Sequence, residues 1–229
     1  MRSEAFYYFQ SSLLSSTIQV SAVGLKTIPK KGGLFPEWRL ISGDYEDFSF
    51  PIVFKQEFGK KNEDLLDTGW PNLYLISDKL KSVLVDNNIT GWKTFEVIVL
   101  DKKGSEIEGY HGLSIIGRCG PIDFDKSEII HKQLAPNAPI STYYKGVSFD
   151  VEKWDQSDVF LSEKNFRILV TDKVAELVIK NKLTNINLIN ISEYEEDFGK
   201  SGFLDKLKSV FVCLSFLFVK KNVKNNSTF

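Results

Sequence analysis

The stretch Leu75-Ile76-Ser77-Asp78-Lys79-Leu80 ends a short apolar run and begins a helical pattern. A second stretch, Leu169-Val170-Thr171-Asp172-Lys173-Val174, repeats it 94 positions later (171 − 77). The apolar positions of residues 75–97 and 169–191 agree almost throughout, and each copy runs through a helix into a second apolar segment. The sequence therefore predicts two related strand–helix–strand units.

The junction between strand and helix has the same chemistry in both copies. Ser77 and Thr171 suit the N-cap position, because a hydroxyl can accept a hydrogen bond from a free N–H group of the first helical turn. Asp78 and Asp172 follow them, where the helix dipole favours negative charge. Apolar residues at i, i+3 and i+4 predict one buried face on each helix. These residues are Leu80, Val83 and Leu84 in the first copy, and Val174, Leu177 and Val178 in the second.

The fold class expected from this pattern is α+β, with mixed sheets around the two units and additional antiparallel strands. We expect one globular domain over residues 1–229, whose core is residues 70–197. Residues 1–69 are expected to be irregular but strand-rich, with strands at Thr17–Val23 and Phe48–Phe54.

Bulk composition excludes several protein classes. The formal net charge of −1 argues against general nucleic-acid binding, which needs a basic surface. Cys119 and Cys213 are too few for a disulfide framework and have no metal-site spacing. The aromatic stretch Phe6–Phe9 soon meets polar residues, so the chain start does not resemble a secretory signal. Cytoplasmic residence is therefore expected.

Reaction chemistry has little support in the sequence. A Cys119 nucleophile with His111 or His131 as its base is conceivable, and Asp123 with Asp125 could contribute carboxylates to a small hydrolase or transferase. No phosphate-binding loop, dinucleotide fingerprint, HExxH or GxSxG motif is present. We therefore expect a non-enzyme with no cofactor and no metal, and keep the hydrolase or transferase as an alternative.

The apolar residues 203–219 near the end of the chain allow another alternative. The apolar stretch Val210–Val219 is too short to cross a bilayer as a helix, which needs about 20 residues. We expect this segment to close the core and the last residues to be a disordered tail. A peripheral membrane or scaffold protein that uses residues 203–219 remains the alternative.

Acidic residues interleaved with aromatic ones are the candidate binding surface. Tyrosine offers contact area at low entropic cost, and carboxylates steer a basic partner towards it. The sequence predicts partner-binding residues in two clusters and one further pair. They are Tyr45, Glu46 and Asp47; Glu193, Tyr194, Glu195, Glu196 and Asp197; and Trp154 with Asp155.

Residues 70–197 resemble a family of bacterial immunity proteins of the Imm-eleven type, first described as a domain of unknown function. The resemblance rests on the strand, Ser-Asp, helix, Leu-Thr-Gly, strand element at residues 75–91, with further segments at 122–127, 146–150 and 154–158. Asn185 stands where the second unit would carry glycine, and Asn tolerates the positive φ expected there.

The resemblance implies a function by binding rather than by catalysis. Members of such families accompany polymorphic toxins in interbacterial competition. A member would bind a cognate toxin in the cytoplasm of the producing cell and neutralise it stoichiometrically, without cofactor or nucleic acid. The resemblance supplies no catalytic residues, and the oligomeric state and the toxin's activity stay open.

Overall fold

A computed structural model describes residues 5–133, 135–137, 139–163 and 167–197. The chain divides into two compact units. The first runs to Asp123 and includes Ser148–Glu193; the second comprises Phe124–Val147 and the residues from Tyr194 onward. The single domain expected over residues 1–229 stays a prediction. Residues 203–219, the tail behind them and Cys213 lie outside the described residues.

The described residues form helices and strands in the proportions of an α+β protein, which confirms the expected fold class. The helices are α1 (Pro36–Ser42), α2 (Asp78–Asp86) and α3 (Asp172–Lys180). The first eight strands are β1 (Phe6–Ser11), β2 (Gln19–Ala22), β3 (Ile52–Phe58), β4 (Leu65–Asp67), β5 (Tyr74–Ser77), β6 (Trp92–Phe95), β7 (Val97–Leu100) and β8 (Tyr110–Ile115). The others are β9 (Gly117–Asp123), β10 (Glu128–Lys132), β11 (Ser141–Lys145), β12 (Ser148–Phe149), β13 (Val159–Glu163), β14 (Ile168–Thr171), β15 (Ile186–Asn190) and β16 (Glu195–Asp197).

Two mixed sheets of matching strand order build the first unit. One has the order β6-β8-β5-β4-β2-β3-β7, and the other β15-β1-β14-β13-β9-β12. The registers also match: Leu66 pairs with Leu75 in the first sheet, and Phe160 with Leu169 in the second. The second pair lies 94 positions after the first in both strands (160 − 66 = 169 − 75). The two strand–helix–strand units therefore share pairing as well as sequence.

The first compact unit has two halves, residues 6–100 and residues 110–123 with 148–190, and each half lends one strand to the sheet of the other. Strand β1, at the start of the chain, lies between β14 and β15, which both belong to the second strand–helix–strand unit. Strand β8 in turn lies between β5 and β6, which both belong to the first strand–helix–strand unit. All of these pairings are antiparallel. Each sheet therefore contains one strand from the other half.

A carboxylate, buried at Asp64 and half-buried at Asp158, ties each half to the other. Asp64, just before β4, accepts hydrogen bonds on Oδ2 from Thr184 N at 2.9 Å and Thr184 Oγ1 at 3.1 Å. Asp158, just before β13, accepts on Oδ2 from Thr90 N at 2.9 Å and Thr90 Oγ1 at 3.1 Å. We call these the Asp64 clasp and the Asp158 clasp. They are equivalent, because 158 − 64 and 184 − 90 both equal 94.

Helix α2 begins as the sequence predicts, whereas α3 differs in one bond. Ser77 Oγ accepts from Leu80 N at 3.1 Å, which confirms its capping role. Thr171 occupies the N-cap position of α3, but its side chain makes no capping hydrogen bond. Its Oγ1 is instead buried without a partner among the described residues. Capping by Thr171 was therefore predicted wrongly, because its hydroxyl points into the core.

One hydrophobic cluster in the first unit takes side chains from both sheets and all three helices. Leu80 and Leu84 of α2 and Val174 and Val178 of α3 are buried in it, as the helical spacing predicts. Val83 is only partly buried and packs against the same cluster. Because both halves share one core, they should unfold together.

The N-terminal region holds more regular structure than its sequence indicated. Strand β1 was not predicted, although its aromatic residues are typical of strands. The strand expected at Thr17–Val23 is observed at Gln19–Ala22, and the one expected at Phe48–Phe54 begins later, at Ile52.

The second unit contains one three-stranded antiparallel sheet in the order β10-β11-β16. Ile130 pairs with Tyr143 in this sheet, and Tyr144 pairs with Glu196. The ring of Phe124 packs edge-on against Tyr144, with 6.2 Å between the centroids.

Candidate functional site

The acidic segment at residues 44–47 is held by a buried arginine that the sequence analysis did not single out. Arg39 of α1 is fully buried, and its Nε donates to Asp44 Oδ2 at 2.9 Å. Its Nη2 donates to Asp47 Oδ2 at 3.2 Å and to the carbonyl oxygen of Glu46. The hydrogen bond from Arg39 lowers the pKa of Asp44. One guanidinium therefore fixes the backbone and two carboxylates of this turn.

Tyr45 points inward from the same turn. Its hydroxyl donates to Ser114 Oγ at 2.9 Å, and its ring packs edge-on against Phe50 with 5.2 Å between the centroids. Lys93 Nζ lies 3.9 Å from the centroid of the Tyr45 ring. Burial raises the pKa of the Tyr45 hydroxyl. These contacts make Tyr45 an anchor of the turn.

Glu46 and Asp47 are the outward members of this cluster. The Glu46 carboxylate pairs with Lys31, and its side chain is 67% exposed. The Asp47 side chain is 49% exposed although it pairs with Arg39. Asp47 has a φ of 70°, which sharpens the turn and directs the backbone towards β3. Both carboxylates can therefore contact a partner from a fixed backbone.

Trp154 and Asp155 lie in the loop before β13, and both have internal contacts. The Trp154 ring packs against Phe6 and Phe160, and its Nε1 donates to Ser157 O at 3.1 Å. Asp155 accepts from Arg118 N at 2.8 Å and from Ser157 N at 3.0 Å. These two side chains organise the loop, and Asp155 is exposed while Trp154 is half-buried.

The second acidic cluster is divided between the two compact units. Glu193 ends the first unit and is exposed, and its N–H donates to Asn190 O at 3.0 Å. Tyr194 begins the next part of the second unit, where its carbonyl accepts from Gly146 N at 2.9 Å. Glu195, Glu196 and Asp197 form β16, and the Glu195 carboxylate pairs with Lys132 of β10.

The cysteine considered as a nucleophile is in an unfavourable place for that role. Cys119 is buried in β9, and its Sγ donates to Gly120 O at 3.3 Å. Burial raises the pKa of the thiol to about 12, so it stays protonated at neutral pH and is a poor nucleophile. The His111 ring contacts Asp78 Oδ1 at 2.7 Å and Lys81 Nζ at 3.4 Å, rather than the thiol.

In the described part of the chain, no three His, Cys, Asp or Glu side chains are grouped so that they could hold a metal ion. None of the helices at residues 5–133, 135–137, 139–163 and 167–197 is long and apolar enough to cross a bilayer.

Two structural features were missed that the sequence does signal. Arg39 interrupts the apolar residues of α1, and an arginine on an apolar face needs a carboxylate partner nearby. Asp64 and Asp158 stand at the same 94-residue shift as the two units (158 − 64). Extending the comparison of the two copies towards the N-terminus would have found this pair.

Comparison with known proteins identifies the family. The sequence model of the Immunity protein family (Imm11) matches residues 15–193. The match extends well before the resemblance seen in the sequence, which began near residue 70, and includes β2, β3 and α1. No curated protein matches the chain. Because the family match covers well over half of the sequence, this chain belongs to the Imm11 family of immunity proteins.

Proposed function

We propose that this protein binds a cognate bacterial toxin domain in the cytoplasm of the producing cell and neutralises it stoichiometrically. Membership of the immunity protein family over residues 15–193 is the observation that carries this proposal. Inhibition by a bound protein requires a rigid complementary surface and no reaction chemistry.

The proposed contact residues include exposed carboxylates of both acidic clusters, considered separately in each compact unit. Glu46, Asp47 and Glu193 present negative charge in the first unit, and Glu195 does so in the second. Negative charge of this kind accelerates association with a basic partner, and opposite charges on the two surfaces exclude wrong partners.

Arg39 supports this role by preorganising the first cluster. It holds Asp44, Asp47 and the Glu46 carbonyl in one arrangement before any partner arrives. A surface ordered in advance loses less conformational entropy on binding. Tyr45 and Trp154 act from within, by fixing the turns that carry exposed residues. Asp155 is itself exposed and fixes its loop by accepting from Arg118 N and Ser157 N.

A co-expression experiment tests the function itself. The toxin-domain gene next to the gene for this chain is expressed in a sensitive host, alone and together with this chain. We expect killing by the toxin alone, survival with both proteins and a one-to-one complex on purification. Killing that continues despite soluble expression of both proteins would refute the proposal.

Charge reversal tests the contact surface. We expect Glu193→Lys, Glu195→Lys and Glu196→Lys together to slow association with the toxin at least about 10-fold at low salt. Glu46→Lys with Asp47→Lys provides the same test for the first cluster. The control reverses two exposed carboxylates elsewhere, Glu106 and Glu108. Equal association rates for control and test variants would remove that cluster from the interface.

A further inference from the structure

A small pocket opens in the first unit beside the connection from β1 to β2. Its volume is about 160 Å³, and it is lined by that connection, by Gln19, Phe58 and Asp67, and by Asn185. Pockets for drug-sized ligands measure roughly 300–1,000 Å³, so this one suits the end of a single side chain.

Two buried polar atoms at this pocket have no hydrogen-bond partner in the described part of the chain. They are Asn185 Oδ1 and Thr17 Oγ1, and both residues are only 6% exposed. Asn185 Nδ2 donates to Leu65 O at 2.7 Å and Ser11 Oγ at 3.2 Å. Because Leu65 O can only accept, this contact fixes which end of the amide is the oxygen. A buried acceptor without a donor costs about 1–3 kcal/mol, which a bound donor would recover.

Asp67 adds negative charge to the same pocket. Its Oδ1 accepts hydrogen bonds from Gln19 Nε2 at 3.2 Å and from Gly69 N at 2.7 Å, so both bonds use the same carboxylate oxygen. Burial raises the pKa of Asp67, and these two bonds offset only part of that rise. No Lys, Arg or His is among the residues that line the pocket. Within the described residues, the lining of the pocket therefore holds one carboxylate whose Oδ2 accepts no hydrogen bond, at Asp67, and two buried acceptors without a donor, at Asn185 and Thr17.

The rim of the pocket is apolar and exposed. Leu13, Leu14 and Phe58 are 73%, 51% and 56% exposed. Leu13 also has a φ of 52°, a conformation that costs a leucine roughly 1–2 kcal/mol. Apolar side chains around a polar pocket can cover the aliphatic part of an inserted side chain and exclude water from its charged end.

The equivalent place in the other half of the unit is closed. Gly91 stands where Asn185 stands (185 − 91 = 94), and Ile116 alone connects β8 to β9 where residues 12–18 connect β1 to β2. A Cβ added at Gly91 or Gly117 would overlap the carbonyl oxygen of Val159. The two halves therefore differ at this place in the connection at residues 12–18 and in Asn185, both of which contribute to the lining of the pocket.

We propose that this pocket receives the guanidinium group of an arginine side chain from the toxin. Asp67, Asn185 and Thr17 would accept its hydrogen bonds, and Leu13, Leu14 and Phe58 would cover its aliphatic stem. Arginine suits the site because its planar group carries five N–H donors and is weakly hydrated. Arginine is also common among the residues that dominate interface energetics. The inference rests on the proposed function, because it takes the toxin as the source of the arginine.

The first test uses the purified protein and ethylguanidinium chloride, followed by amide NMR. We expect saturable shifts of the Asn185 side-chain amide and the Thr17 backbone amide. Asp67→Asn should weaken this binding at least about 10-fold, while it keeps an acceptor for Gly69 N. The matched control is Asp101→Asn, whose carboxylate also accepts two hydrogen bonds on one oxygen, from Lys103 N and Ser105 N, but lies in an exposed turn. Equal binding of neutral ethylurea, or no saturable shift, would overturn the inference.

The second test uses the toxin domain from the neighbouring gene. We expect Asp67→Asn to weaken toxin binding about 10- to 100-fold and Asp101→Asn to leave it unchanged. Leu14→Glu should weaken it similarly, whereas Ile116→Glu, on the closed equivalent connection, should not. Toxin binding that survives both Asp67→Asn and Leu14→Glu would overturn this inference and leave the proposed function standing. Failure of the unaltered protein to bind the toxin would overturn the proposed function, while the ethylguanidinium test still judges the pocket.

Discussion

The Asp64 clasp and the Asp158 clasp have the same backbone geometry but different hydrogen bonding. Both carboxylates accept from a threonine of the opposite half and from a lysine, which is Lys79 for Asp64 and Lys173 for Asp158. Asp64 Oδ1 also accepts from Ser77 Oγ at 2.7 Å. Thr171, which corresponds to Ser77, has a buried hydroxyl with no partner in the described residues. Equivalent backbones therefore do not guarantee equal stabilisation.

The largest expected difference comes from removing the two carboxylates. Asp64→Ala should lower the free energy of unfolding by about 3 kcal/mol, because it leaves the partly buried donors of Ser77 and Thr184, and Lys79, without their acceptor. Asp158→Ala should lower it by about 2 kcal/mol, because fewer donors are involved. Urea denaturation of both variants measures the difference. Equal losses would show that the Ser77 hydrogen bond adds nothing to the Asp64 clasp.

The turn before β6 should tolerate no side chain at Gly91. This residue has a φ of 86°, and a Cβ there would overlap the Val159 carbonyl oxygen. Gly91→Ala should cost about 3 kcal/mol of unfolding free energy, from backbone strain and steric overlap together. Gly104 has a φ of 90° but open space around it, so Gly104→Ala should cost only about 1 kcal/mol. Thermal unfolding of both variants separates strain from overlap, and equal costs would contradict the close packing.

The two N-cap residues should respond with opposite sign. Ser77→Ala should destabilise the protein by about 1–2 kcal/mol, because it removes the cap of α2 and a hydrogen bond to Asp64. Thr171→Val should leave stability unchanged or raise it by up to about 1 kcal/mol, because it removes a buried hydroxyl that has no partner. Chemical denaturation decides the signs. A destabilised Thr171→Val variant would indicate that this hydroxyl is hydrogen-bonded in solution.

The smallest expected effect is a pH dependence that belongs to the Asp64 clasp. Burial alone would raise the pKa of Asp64, but bonds from Ser77 and Thr184 and the charge of Lys79 outweigh it and lower the pKa below 3.8. A carboxyl with a lowered folded-state pKa stabilises fully above its unfolded-state pKa and loses this contribution as the pH falls through the folded value. The stability difference between the unaltered protein and Asp64→Asn should therefore shrink as the pH falls below about 5. A difference that stays constant would contradict the lowered pKa.

Local sequence was enough to predict the two strand–helix–strand units. Ser77, the apolar spacing of α2 and α3, and the positive φ of 58° at Asn185 are properties of neighbouring residues. The positions of β1 and β8 could not be predicted in the same way. The hydrogen-bond partners of β1 lie far away in the chain, at β14 and β15, and an aromatic strand pairs equally well with many edges. Strand β8 inserts between β5 and β6 instead of pairing only with its neighbour in sequence.

The candidate surface shows the same division. The sequence locates Glu46, Asp47 and Glu193 by composition alone, because a run of charged residues is normally solvated. It does not show that Tyr45 turns inward or that Arg39 holds the cluster, because both facts depend on the core behind α1. The pocket at Asn185 likewise needs residues that are up to 174 positions apart, such as Ser11 and Asn185.

By itself, the sequence determined the α+β class, the two related units and the resemblance to immunity proteins, because capping, apolar period and motif order are written in adjacent residues. Only the tertiary structure decided that the halves exchange strands, that two aspartates join them and that one half carries an open pocket. These features arise where distant segments meet. Long-range hydrogen bonds and close packing select among partners that local sequence leaves equivalent.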